Sequence, residues 1–271
     1  MNPPFTHFLI TRFNVPLEGW EIDKSGYSTR DSAWLMHRMD LFNKYCVPSI
    51  ASQTQQNFSW LIYCDEATPA EMLEMISQSI RMIKNAEVRL TSGYHASLQD
   101  IDDSMAKSQT PFVITSRLDN DDALGIHYIE IIQSHFIPQN GIILNLLNGH
   151  GYSVPGQVAT RLYNIRNNHF GSLIEKTRPE GGHTSIRGFQ HDNPPAEFII
   201  HNINMSNCWL KIFHERNLKS NQFGYPVFSN DFFKWYGMKK SAMPISTFST
   251  IQYSINWLAD GAIRKVKKLL R

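Results

Sequence analysis

The sequence predicts an α/β fold: a Rossmann-type, mostly parallel sheet flanked by helices. Three observations support it. Strand-length apolar runs alternate with helix-length amphipathic runs through the first half. The connections between them are short, which favours right-handed crossovers and parallel pairing. The apolar runs also stop at polar residues (Arg12, Asp65-Glu66, and an acidic cluster at 119–122), so polar groups collect at one edge of the sheet.

The elements follow in order. Residues 7–13 are apolar and bounded by prolines, as in a buried strand. Residues 31–45 read as a helix with Trp34, Leu35, Met39, Leu41 and Phe42 on its apolar stripe. The run 60–64 is a second buried strand. Thr68 is the expected N-cap, and Pro69 the first helical residue, of a helix with its body at 71–84. Residues 87–90 alternate like a strand and 97–107 read as a helix. Residues 112–116 form a β-branched strand that breaks at 117–122, and a helix is expected from about 123 to 136. In the second half, a turn at 138–141 precedes strands at 142–147 and 157–163, with 149–155 between them. A further strand is expected at 173–177. Residues 178–195, rich in Gly, Pro, His and Asn, read as a long loop over a site. An apolar run at 206–213 ends at His214.

Composition narrows the function classes. The 271 residues carry a net charge of +2, which argues against a dedicated nucleic-acid binder. The aromatic share of 12% suits a site that stacks flat ligands or sugar faces. Cys46, Cys64 and Cys208 form no disulfide framework, and no secretory signal or membrane-length apolar run is present, so a cytoplasmic location is expected. Residues 262–271 hold five basic residues and no acid, and Ile263, Val266, Leu269 and Leu270 share a helical face. A basic amphipathic helix in peripheral contact with the inner face of an anionic membrane is one reading, and a solvated terminal helix is the other. Dinucleotide and P-loop fingerprints are missing.

The acidic cluster Asp119-Asn120-Asp121-Asp122 carries the chemistry. Three carboxylates at the end of a buried strand repel one another, by about 4 kcal/mol for a pair 4 Å apart at an effective dielectric of 20. They call for a cation, and hard cations such as Mg²⁺ and Mn²⁺ take carboxylate and phosphate oxygens. The Asp-x-Asp spacing can place one carboxylate on a metal and the other on a ribose or sugar hydroxyl. The alternative is a polar turn with Asp122 as the N-cap of the next helix.

Four segments together carry a family resemblance: 11–15 (Thr-Arg-Phe-Asn-Val), 41–60 with Pro48-Ser49-Ile50 and Asn57-Phe58-Ser59-Trp60, 116–124 (Ser-Arg-Leu-Asp-Asn-Asp-Asp-Ala-Leu), and 209–217 with Trp209, His214 and Asn217. The chain resembles the bacterial rhamnosyltransferase family, within the GT-A glycosyltransferase fold, over most of 5–217. The resemblance implies a single GT-A-like catalytic domain at 1–240. Its nucleotide-sugar-binding half would be 1–125 and its acceptor half 126–240, followed by a basic helical tail at 241–271. It implies a metal-dependent glycosyltransferase that uses a nucleoside-diphosphate sugar (dTDP-rhamnose or a UDP-sugar) and a cell-surface glycan or lipid-linked saccharide acceptor. Asp121 and His214 would be the metal ligands, with Mn²⁺ or Mg²⁺. Asp119 would meet the ribose or sugar, Asp65 the nucleobase, and Arg12 and Arg117 the donor phosphates or base.

Inverting transfer also needs a general base. Glu175, Glu180, Asp192 and Glu197 lie in the region between the metal motif and His214, with His183 as a further candidate. Asp192 is preferred because Pro194 and Pro195 fix the backbone beside it, although a plain loop turn explains it equally well. Trp209, Trp235 and Tyr236 are read as core side chains before sugar platforms. Two other functions use the same features: a metal-dependent nucleotide-sugar phosphohydrolase, and a non-catalytic glycan-binding or membrane-scaffold module.

Overall fold

The computed structural model describes residues 4–19, 22, 26, 28, 29, 31–217, 222–229 and 231–269. Strand β1 (Phe5–Arg12) is covered on both faces, which is why it reads as a continuous apolar run. Phe5 and Leu9 join the core on one side of the sheet, and Phe8 and Ile10 join a separate cluster on the other. The chain continues through α1 (Ser32–Leu41), one π turn (Phe42–Cys46), α2 (Val47–Ala51), β2 (Ser59–Asp65), α3 (Ala70–Ile80), β3 (Ala86–Thr91), α4 (Tyr94–Ala106) and β4 (Phe112–Arg117). β1 pairs in parallel with both β2 and β4, and β2 pairs in parallel with β3. The strand order β4-β1-β2-β3 reverses direction at β1, so a crevice opens at the carboxyl ends of β1 and β4.

Beyond β4 come β5 (Ala123–Leu124), α5 (Tyr128–Ser134), β6 (Ile142–Leu146), β7 (Gly149–Ser153), β8 (Val158–Leu162), β9 (Ser172–Lys176), β10 (Ile199–Ile203), β11 (Trp209–Phe213), β12 (Tyr225–Val227) and α6 (Thr247–Leu269). β9 inserts antiparallel between β4 and β6, and β10 closes that edge in parallel, which completes a mostly parallel sheet in the order β10-β6-β9-β4-β1-β2-β3. The second sheet runs β12-β8-β7-β11-β5. The acidic segment 119–122 is therefore the link between two sheets, leaving one at Arg117 and entering the other at Ala123.

Local expectations change at four places. The helix expected over 31–45 widens into the π turn, with Val47 N–H donating to Phe42 C=O, because Pro48 has no N–H for a regular ladder. Thr68 does not cap α3: Pro69 stands at the N-cap, and Thr68 Oγ1 is held by Asn14 Nδ2 at 2.8 Å. The helix expected from 123 is shortened to α5, because Ala123 and Leu124 pair with Leu210 and Trp209. β7, β10 and β12 are strands that the sequence reading leaves unassigned: β7 lies inside the second sheet, and β10 and β12 are short edge strands. The expected loop at 178–195 contains no strand or helix. The face expected from Ile263, Val266, Leu269 and Leu270 concerns side chains outside the described residues.

Tyr236 is fully buried, and Trp209 stacks on Phe170 at 4.9 Å while its Nε1 donates to Leu146 C=O at 2.7 Å, so both are core side chains. His7 is also buried, hydrogen-bonded to Ser116 Oγ at 2.7 Å, and burial pushes its pKa down to about 3. The unfolded chain takes up a proton below about pH 6.5, whereas folded His7 refuses one until about pH 3, so stability falls as pH drops through that window. His150, pushed down to about 3 by burial, behaves alike. The expected cost is about 1.4 kcal/mol per pH unit for each histidine. Calorimetric unfolding temperatures between pH 7 and pH 4.5 should show a shallower acid slope in His7→Gln than in the parent chain.

Candidate active site

A cleft of about 640 Å³ opens at the crevice between β1 and β4. Arg12, Asn14, Arg38, Tyr94, Arg117, Asp119, Asp121, His169, Arg187, Asp192 and Lys211 contribute to its wall. Its geometry follows from one charge problem, the three carboxylates in the β4–β5 link, and three distant segments each supply a cation to it. Arg187, from the 178–195 loop, donates through Nη1 to Asp119 Oδ1 at 3.0 Å. Arg38, on α1, donates to Asp121 Oδ2. Lys211, on β11, reaches Asp122 Oδ2 at 3.0 Å.

The protonation states follow from these pairs. Loss of water opposes ionisation of Asp119, but the charges of Arg187, His169 and Lys211 hold it well below the usual carboxylate range. Burial likewise opposes ionisation of Asp121, and Arg38, the His214 hydrogen bond and Lys211 overcome it. Burial lowers Lys211, yet Asp122, Asp121 and Asp119 together raise it above its ordinary value. Burial pushes the Arg187 guanidinium down to about 9 against the pull of Asp119, so it remains a cation near neutral pH. All three carboxylates face fixed positive charge inside one wall.

Asp122 is the structural member of the cluster. Its Oδ1 accepts Ile212 N–H at 2.8 Å, and its Oδ2 accepts from Lys211 and from His169 Nε2 at 3.1 Å. It fastens the link to β11 and does not cap a helix. Asp119 and Asp121 are different: among the described residues, no hydrogen bond reaches Asp119 Oδ2 or Asp121 Oδ1, and both residues line the cleft. Asp119, Asp122 and His169 place ligand atoms within 4.8 Å of one another and could hold a metal ion.

The other expected site residues divide between the cleft and its surroundings. His214 Nε2 lies 3.0 Å from Asp121 Oδ2, which brings the two expected metal ligands together, and 3.3 Å from Arg38 Nη1. Asn217 Oδ1 accepts His214 N–H at 2.6 Å, so the His-x-x-Asn spacing is a turn that aims His214 at Asp121. Arg12 lies over the Tyr94 ring at 5.5 Å, inside the cleft wall. Arg117 donates to Ile186 C=O and Phe189 C=O at 3.3 and 3.1 Å, so it also holds the loop. Asp192 lines the cleft with an exposed side chain. Asp65 stands outside the lining: its Oδ1 accepts Ala67 N–H, and its own N–H donates to Asn14 Oδ1, the side chain between it and the cleft.

The loop over the site is stitched down. Asp102 accepts Gly182 N–H, His183 N–H and His183 Nδ1–H. Glu175 accepts Thr184 N–H and Ser185 N–H at 2.8 and 3.0 Å. Glu175 and His183, candidates for the base, are thus committed to backbone and to Asp102. Tyr94 Oη donates to Arg187 C=O at 2.6 Å, and Arg187 Nη2 donates to Ile10 C=O and Leu118 C=O.

Sequence reasoning missed Arg38, Arg187, Lys211 and His169. A signal exists for two of them: Arg38 lies on the buried stripe of α1, and Lys211 interrupts the apolar run Trp209-Leu210-Lys211-Ile212-Phe213. Arg187 joins the loop, β1 and Asp119 at once, so Arg187→Met should cost at least about 2 kcal/mol, several degrees in the unfolding temperature. Arg187→Lys should recover only part of it, because one ammonium does not span three separated acceptors. Differential scanning fluorimetry of the two variants checks both.

Among solved structures, the chain is similar to S. aureus TarS 1–349 in complex with UDP-GlcNAc, at 12% identity, with 93% of this chain and 71% of that chain covered and a TM-score of 0.44. Another structure of S. aureus TarS 1–349 matches at 11% identity over 76% of this chain, with a TM-score of 0.42, and the chain spans 60% of its length. HddC from Yersinia pseudotuberculosis matches at 10% identity over 85% of this chain and 98% of that one, with a TM-score of 0.31. No curated protein matches. A family model described as "Putative rhamnosyl transferase" matches residues 6–224, which hold the whole seven-stranded sheet but for Phe5, the second sheet but for β12, and every residue of the cleft, and the chain belongs to that family.

Proposed function

We propose that this chain is a glycosyltransferase that moves a sugar, rhamnose in the reading favoured by its family, from a nucleoside-diphosphate donor to a cell-surface glycan or lipid-linked saccharide. One observation carries the proposal: a cleft at the strand-order reversal holds Arg12, Arg117, Arg187 and Lys211 beside the partly unengaged carboxylates of Asp119 and Asp121. The cations suit a diphosphate, and the carboxylate oxygens suit ribose or sugar hydroxyls. dTDP-rhamnose and UDP-sugars both present those groups.

In this reading Arg12 and Arg117 bind the diphosphate and Asp119 accepts from a donor hydroxyl. Asn14, which lines the cleft and accepts the Asp65 N–H, stands between Asp65 and a donor nucleobase, so Asp65 would act there through Asn14. The acceptor hydroxyl oxygen bonds to the anomeric carbon as the bond from that carbon to the phosphate oxygen breaks. Asp192 takes the hydroxyl proton, and the nucleoside diphosphate leaves with the bonding electron pair. Fixed positive charge around the phosphates stabilises that departure.

The donor set fits a hard divalent cation, because Asp119 and Asp121 each direct an oxygen without a hydrogen bond among the described residues to a wall shared with the donor phosphates. Asp121 and His214 would hold Mn²⁺ or Mg²⁺, which when bound acts as a Lewis acid toward the departing diphosphate. Arg38 favours a second reading. Its guanidinium already engages both Asp121 and His214, so side-chain cations alone could offset the phosphate charge.

Thermal shifts with TDP, UDP and GDP, each with Mn²⁺ and with a chelator, separate these readings. One nucleotide should raise the unfolding temperature, by about 2.7 kcal/mol of stability at one hundred times Kd. The shift should require Mn²⁺ and vanish in Asp121→Ala. An equal shift in chelator assigns the charge to Arg38, Lys211 and Arg187, and no shift with any nucleotide removes the donor-site assignment. For the base, Asp192→Asn should lower turnover about 10²- to 10⁴-fold while the nucleotide shift stays unchanged.

A further inference from the structure

The helix α6 (Thr247–Leu269) presents a second surface, and none of its described residues lines the cleft. One side of it is docked. Thr250 is buried, Tyr253 Oη donates to Gly224 C=O at 3.1 Å, and Trp257 packs on Tyr225 at 5.0 Å. Four large apolar side chains lie elsewhere on the helix: Phe248 is 78% exposed, Ile251 48%, Ile255 61% and Leu258 63%. Their spacing of three, four and three residues gathers them within an arc of about 80°, opposite Thr250, Tyr253 and Trp257. A helix that buries one side in its own protein and shows a continuous apolar stripe on the other has a second partner to meet.

The sequence says which kind. In the sequence, Ala262, Val266 and Leu269 follow Leu258 at intervals of four, four and three residues. From Thr247 onward the only acid is Asp260, against Arg264, Lys265, Lys267, Lys268 and Arg271. An apolar stripe with a strongly basic remainder matches a surface that is apolar below and negatively charged above, as anionic lipid is. Pairing α6 in parallel with a second copy would bring the like charges at 264–271 together instead. No described helix is long and apolar enough to cross a membrane, so α6 would lie along the surface. We propose that α6 docks this protein on an anionic lipid bilayer, with Phe248, Ile251, Ile255 and Leu258 entering the headgroup boundary and the basic residues meeting the lipid phosphates. The docking is independent of the donor chemistry, although it would hold the enzyme where a lipid-linked acceptor lies.

The test is flotation of the full chain with phosphatidylglycerol/phosphatidylcholine vesicles and with phosphatidylcholine alone. Binding should be confined to the anionic vesicles and weaken with added salt. The double variant Ile255→Asp/Leu258→Asp, placed at exposed positions, should lose at least tenfold in vesicle partitioning. The set Arg264→Gln/Lys265→Gln/Lys267→Gln/Lys268→Gln should lose a comparable amount. Unchanged unfolding temperature and nucleotide shift would show that the fold and the cleft are intact in both. Equal binding to neutral vesicles, or no effect of either set, would overturn the proposal. So would a dimer in sedimentation equilibrium that dissociates in the Asp variants without vesicle binding, which would assign the stripe to a second copy of the chain.

Discussion

Three carboxylates within four residues, each matched to a cation from a different part of the chain, are the constraint on which the cleft depends. Asp119, Asp121 and Asp122 would repel strongly if left to themselves, at a few kcal/mol per close pair. Arg187, Arg38 and Lys211 remove that repulsion, and they do so from a loop, a helix and a strand that are distant in sequence. The pairs are partly or wholly desolvated, so their attraction largely offsets the cost of taking charge out of water and adds little net stability. What they give is geometry. Asp119 and Asp121 are fixed, ionised and aimed before any ligand arrives.

The two sheets make this arrangement reachable. The strand-order reversal at β1 and β4 leaves a crevice, and the β4–β5 link crosses it on its way from one sheet to the other. β11 runs alongside β5 and brings Lys211, His214 and Asn217 to the same place. The 178–195 loop then closes the third side. It is long and lacks regular structure, yet Asp102, Glu175, Thr115, Arg117 and Tyr94 all bind its backbone. A loop tied at so many points acts as a wall, and this explains how Arg187 can be a fixed partner of Asp119.

A preorganised cluster of this kind suits a leaving group that gains negative charge, as a nucleoside diphosphate does. Family membership and the cleft thus agree on the class of chemistry. Arg38 engages the same Asp121–His214 pair that the proposed divalent cation would occupy. α6, none of whose described residues lines the cleft, carries an exposed apolar stripe, and basic residues follow it in the sequence. The proposed donor site and the proposed docking surface thus lie on separate elements.

The sequence by itself determined the alternating strands and helices of the first half, because strands buried on both faces are continuously apolar and the helices between them keep a clear stripe. It also exposed the acidic cluster and the His214–Asn217 segment, since charged residues at the end of an apolar run stand out locally. What it did not carry was partnership across distance. Nothing in the local pattern pairs Arg187 with Asp119 or Arg38 with Asp121, because such pairs exist only once the loop and α1 fold over the crevice. The same limit explains the local misreadings. Ala123 and Leu124 look helical until β11 offers them a ladder, and Thr68 looks like a cap until Asn14 takes its hydroxyl. Residue type and spacing fixed which groups were available, and the tertiary fold decided which of them face each other, because hydrogen bonds and ion pairs depend on distances the chain sets only when it closes.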